Sequence, residues 1–123
     1  MNKKIYLATP VNARKEATLV KKLAEAHKRI QYMRIYLSNW YPEAEFLSVF
    51  TIDTVEGLVM LAEPLIMGQC VEMVMCSDII ILDDGWEDSN GCNVERYVAD
   101  RYGKQVYTMQ RFRLKEKLKE KTI

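Results

Sequence analysis

The sequence predicts a doubly wound, three-layer α/β domain with a parallel sheet, on three observations. Strand-like apolar runs alternate with helix-like stretches along the chain. The run Asp78 to Asp84 carries three consecutive isoleucines and a leucine, the mark of a strand buried on both faces. Polar, small-residue loops follow the first and third strand-like runs, where open α/β sheets place their ligands.

Residues 4–9 (KIYLAT) suit a pleated, buried surface, and Pro10 stops the run. Asn12 can cap the helix expected over 13–37, whose inner stripe reads Leu19, Val20, Leu23, Ala24, His27, Ile30 and Leu37, with Arg34 as the exception. Residues 44–50 are the second strand, and 51–54 a turn. Residues 55–76 read as a helix broken near Pro64 or Gly68. Residues 85–91 (GWEDSNG) form a loop, 92–102 a short helix ended by Gly103, and 105–109 the fourth strand. The segment 111–121 holds six basic and two acidic residues and reads as a solvated basic helix or tail appended to a single domain over 1–110.

The 123 residues suffice for one hydrophobic core, and a net charge of +1 provides no global field for nucleic acid or an anionic membrane. Nucleic acid and membrane are therefore not expected partners. Three cysteines without a CxxC pair argue against a disulfide framework or a structural zinc site, so a reducing, cytoplasmic compartment is expected. The apolar stretch 55–76 is too often interrupted by polar residues to span a membrane.

Two loops can carry chemistry. The first, residues 8–14 (ATPVNAR), offers Thr9, Asn12 and Arg14; the second, residues 83–91, concentrates four acids around Trp86 and ends in Ser89, Asn90 and Gly91. Both precede helix N-termini, which suit phosphates or carboxylates. Trp86 can stack on a base or anchor its loop, and Ser89 and Asn90 can cap a helix while touching a ligand. Asp83, Asp84, Glu87 and Asp88 read mainly as solubilising, turn-forming residues, and no metal site is expected from their spacing. Glu95, one turn into the helix, can favour the helix dipole, attack an anomeric carbon or activate water. His27, the only histidine, reads as a packed or half-exposed residue. No Walker or dinucleotide glycine loop is present in the sequence, and no cofactor is expected.

The start KIYLATP and the segment SDIIILDDGWEDSNGCNVERYVADRYGKQVY at 77–107 together resemble the nucleoside 2-deoxyribosyltransferase-like superfamily, in particular a branch common in phage and prophage genomes. The resemblance implies a flavodoxin-like (Rossmann-like) sandwich with a parallel sheet of four to five strands. It also implies a homodimer or higher homo-oligomer, and an N-glycosidase or N-(deoxy)ribosyltransferase-like hydrolase acting on a nucleoside 5′-monophosphate or related N-riboside. Glu95 falls on the family's nucleophile, and Tyr6 on the tyrosine that hydrogen-bonds it. Ser89 falls where nucleotide hydrolases carry a phosphate-contacting serine, and Gly91 on a glycine that admits the ligand. Trp86 would flank the base or sugar, while Asn12 and Arg14 stand in for glycine-rich phosphate contacts in the first loop. One position departs. Where the family carries an aspartate that protonates the departing base, this chain has Cys70, with Glu72 able to compensate only by a shift in helix register. That departure favours the alternative of a non-catalytic nucleotide-binding module that senses or sequesters its ligand. A third reading, a DNA-handling accessory protein, rests on the basic tail alone.

Overall fold

The computed structural model describes residues 2–11, 16–48 and 63–121. Asn12, Arg14 and the turn at 51–54 lie outside the described residues, as do the first residues of the helix expected over 55–76.

Four strands, β1 (Lys4–Ala8), β2 (Glu45–Leu47), β3 (Ile79–Leu82) and β4 (Gln105–Thr108), form one sheet in the order β2-β1-β3-β4. Every pairing is parallel, with Tyr6 beside Leu47 on one side and Ile80 on the other. Helices α1 (Glu16–Leu37), α2 (Glu63–Met75), α3 (Asn90–Arg101) and α4 (Met109–Lys121) flank it, as in a flavodoxin-like three-layer fold. The strand order reverses between β1 and β3, so the crevice beyond their carboxyl ends is the natural ligand position.

Alternation along the strands sorts the side chains. Ile5, Leu7, Ile79, Ile81 and Asp83 face the layer of α1, to which Arg29 ties Asp83. Tyr6 and Ile80 face the opposite layer, where Tyr6 meets Cys70 of α2 and Glu95 of α3. All four residues of β3 are buried, which is why its sequence shows no polar alternation.

Several elements differ from the sequence expectation. The buried stripe of α1 is Leu23, Ala26, Ile30, Met33 and Leu37, while Ala24 and Arg34 are exposed. Leu23, Ile30 and Leu37 of the expected stripe are buried, Ala26 and Met33 join them in place of Ala24, and Arg34 is the exposed exception expected; the side chains of Leu19 and Val20 lie outside the described residues. Helix α2 runs unbroken through Gly68, so the break expected near Pro64 or Gly68 does not fall at Gly68; Pro64 is the second residue of the described helix, and the segment before Glu63 lies outside the described residues. Strand β2 covers three residues, and Met109 starts α4 rather than ending β4. Gly103 follows α3 at φ 71°, a left-handed conformation that glycine adopts without strain, as a helix terminator should.

Helix α4 is more than an appended tail. Phe112, 4% exposed, meets Trp40, Tyr41 and Tyr107 edge-on at centroid distances of 5.4–6.0 Å, and Met109 is fully buried. The tyrosine hydroxyl of Tyr36 donates to Glu116. The core thus extends past residue 110, and the solvated character expected for this segment applies to its outer face, including Leu114 and Leu118. No described helix is long and apolar enough to cross a membrane.

Candidate active site

The carboxyl end of β3 leads directly into Asp83, whose side chain is 2% exposed. Arg29 grips it with two bonds, Nε to Oδ2 at 2.8 Å and Nη2 to Oδ1 at 2.6 Å. Thr9 Oγ1 donates to Oδ2 at 2.8 Å, and the Asp84 N–H donates to Oδ1 at 2.8 Å. Burial alone would raise the Asp83 pKa, but the bonds from Arg29, Thr9 and the Asp84 amide outweigh it and hold the carboxyl below its usual range. Asp84 is bound in turn by Arg113 of α4. Asp83 is therefore a joint between β1, β3 and α1, which corrects its reading as a solubilising loop residue. Arg29 gave no sequence signal, since a lone arginine on a helix reads as solvated. Thr9 directs its hydroxyl proton to Asp83.

Gly85, at φ 82°, turns the chain into a short 3-10 turn over Trp86–Asp88. Trp86 is half-buried against the core, with the Arg96 guanidinium 5.2 Å from its ring centroid, so it anchors the loop. Asn93, unremarked in sequence, donates from Nδ2 to the carbonyls of Glu87 at 3.0 Å and Ser89 at 2.8 Å. Ser89 caps α3: its hydroxyl oxygen accepts from the Cys92 N–H at 3.3 Å. Asn90 and Gly91 are the first two residues of α3, with Asn90 exposed.

Because α3 begins at Asn90, two residues before the expected start, Glu95 is its sixth residue and not a first-turn acid. The dipole explanation weakens accordingly, since that effect fades beyond the first turn. Glu95 points into the protein and is 5% exposed. Tyr6 contacts its carboxyl group, as the resemblance implied, yet Oε2 is buried without a hydrogen-bond partner among the described residues. Burial pushes the Glu95 pKa up to about 7, with the Tyr6 hydrogen bond pulling the other way. The phenol of Tyr6, fully enclosed, is driven well above its usual pKa, first by burial and then by the Glu95 charge.

Two thiols complete the cluster. Cys70 of α2 reaches Tyr6 and feels Glu95; burial, reinforced by that charge, pushes its pKa up to about 11. Cys92 is pushed up to about 12, again chiefly by burial. Both are neutral near pH 7. The register of α2 thus delivers Cys70, and not the exposed Glu72, to the carboxylate. His27 lies half-buried on α1, on the other layer. Among the described residues, no group of three or more His, Cys, Asp or Glu side chains is disposed to hold a metal ion.

The arrangement joins a carboxyl group near half-ionisation, an orienting phenol and a capped helix N-terminus at the switch point of the sheet. A carboxyl group titrating near neutrality can serve as nucleophile or as general acid or base. Residues 3–108 match the model of DUF4406, a domain of unknown function, and the chain belongs to that family. No curated protein matches it.

Proposed function

We propose that this protein is an N-glycosidase, or an N-(deoxy)ribosyltransferase-like hydrolase, acting on a nucleoside 5′-monophosphate or a related N-riboside. The observation that carries the reading is Glu95: a buried carboxyl group oriented by Tyr6, with Oε2 left unpartnered among the described residues. An unsatisfied buried carboxylate oxygen is costly to the fold and is the kind of group that function retains. In this reading Glu95 attacks C1′ of the sugar, or activates a water toward it, while its charge stabilises the oxocarbenium-like transition state. The amides at the start of α3, around Ser89 and Gly91, receive the phosphate. Trp86 borders the base or sugar. The similarity of the two quoted segments to nucleoside 2-deoxyribosyltransferase-like proteins supports the same chemistry, and with it a homo-oligomer in a cytoplasmic setting.

The test is incubation with a panel of nucleoside monophosphates, with chromatographic detection of released base. Wild type should release base and Glu95→Ala should not. Ligand binding without base release at high protein concentration would favour the second reading, a nucleotide-binding module. One observation favours that alternative: Cys70, a buried thiol whose pKa is pushed up to about 11, stands where the resemblance implies the residue that protonates the departing base.

A further inference from the structure

The two outer layers of the molecule have different surfaces. Helices α1 and α4 are rich in lysine, whereas the sequences of α2 and α3 contain none. In place of lysine, the α2/α3 layer exposes apolar and aromatic side chains. Tyr97 of α3 is 70% exposed, and Val94, Met75 of α2 and Tyr102, which follows α3, are exposed with it. The two helices pack against each other, so these residues share one side of the sheet. The charged side chains described as exposed on this pair balance: Arg96 and Arg101 stand against Glu72 and Asp100. Tyrosine, methionine and arginine are enriched where proteins meet, and lysine is depleted there.

The geometry points to the α2/α3 surface as the contact between two copies of this chain, related by a two-fold axis. The inference rests on the homo-oligomer of the reading above and names its face. Charge decides the occupant. A two-fold contact sets a patch against the same patch of the second copy, so the patch must be compatible with itself. The α2/α3 surface meets that condition, because its arginines can face the carboxylates of the second copy around an apolar, aromatic centre. The opposite layer does not. Leu114 is exposed there too, but it lies in a segment, residues 111–119, with five bases against Glu116 alone, and two such faces repel. Tyr97 suits the centre of the contact, since its ring offers a large apolar area and its hydroxyl a polar handle. The face also backs onto the candidate site: exposed Val94 and buried Glu95 are consecutive residues of α3. Association therefore covers the outer side of the helix whose inner side carries Glu95.

The experiment is analytical ultracentrifugation of the full chain from nanomolar to high micromolar concentration. Wild type is run beside Tyr97→Lys and Met75→Lys, with Ile35→Lys and Leu114→Lys as controls on the opposite layer. All four positions are exposed, so the variants should keep the wild-type circular dichroism. Expected is a wild-type dimer, or a larger assembly built on it, that both controls leave unchanged. Tyr97→Lys enters a two-fold contact twice and should weaken association by at least ~30-fold, the scale of a lost aromatic anchor. Should that variant not fold, Met75→Lys decides in its place. An assembly unmoved by the α3 substitution, or broken by either control, overturns the face and leaves the homo-oligomer standing. Wild type that stays monomeric throughout overturns both, while base release reports on the glycosidic chemistry independently.

Discussion

Replacing Glu95 by glutamine should make the protein more stable, and increasingly so as the pH rises. The folded state holds the Glu95 carboxyl at about 7, against 4.5 for the free group. A raised folded value means that the native state binds the proton more tightly than the unfolded chain. The contribution of Glu95 to stability is therefore most favourable below about pH 4.5, falls as pH rises toward 7, and levels off above it. At about 1.4 kcal/mol per pH unit, the gap corresponds to an order-of-magnitude loss of about 3 kcal/mol by pH 8. Glutamine keeps the shape and removes the charge, so the variant escapes the loss. Its own amide contributes an offset that does not depend on pH. Urea unfolding of wild type and Glu95→Gln at intervals from pH 4.5 to 8.5 isolates the effect, because groups that do not feel Glu95 cancel in the difference and the folded-state pKa values of Tyr6, Cys70 and Cys92, which do feel it, lie above that range. For a domain of this size the difference in melting temperature should widen by roughly 10 °C across that range. A difference that stays flat between pH 5 and 8 would refute the reasoning, since it would mean that Glu95 titrates alike in folded and unfolded chains.

Other expectations concern the joints around the site. Arg29→Ala leaves the buried Asp83 without its counterion and should cost about 2–4 kcal/mol, read by chemical unfolding at pH 7; the range is set below that of a fully buried pair because Arg29 is 41% exposed. That cost should shrink as the pH falls and Asp83 becomes protonated, since its folded value is the lowered one. Phe112→Ala should cost about 3–5 kcal/mol by thermal or urea unfolding, and a neutral outcome would show that α4 is dispensable to the core. Ser89→Ala removes the cap of α3 and should cost about 1 kcal/mol by the same measurement. With a thiol-reactive chromophore in native buffer, exposed Cys76 should react promptly and buried Cys70 and Cys92 only on unfolding.

Much of this architecture was legible from sequence because it rests on patterns that burial imposes. The Ile79–Leu82 run could only be an inner strand, and Gly103 could only end a helix. Short-range chemistry was legible too: Ser89 capping α3 follows from its place before a helical run. What failed were choices made by the tertiary structure. The inward face of α1 depended on which residues the sheet would accept, and no periodicity distinguishes Ala24 from Ala26. The start of α3 was misplaced by two residues, which made Glu95 look like a dipole partner when it is a core carboxylate. Pairings across long separations, such as Arg29 with Asp83 or Phe112 with Trp40, left no local trace. The identity of the neighbour of Glu95 came from family-like spacing at Cys70, which simple periodicity would have assigned to core filling.

The order β2-β1-β3-β4 also has a kinetic side. Strand β1 is central although it comes first in the chain, and its partner in β3 lies more than seventy residues away, as Tyr6 and Ile80 illustrate. Loop closure over such distances must precede any reward from pairing, which slows folding in parallel sheets. Tyr6, Cys70 and Glu95 arrive on three separate segments, so their meeting waits on that closure. Recovery of the tyrosine–carboxylate contact on refolding should therefore be among the last events observed, well behind the appearance of helical signal. A nascent or partly melted chain would hold helices but no site.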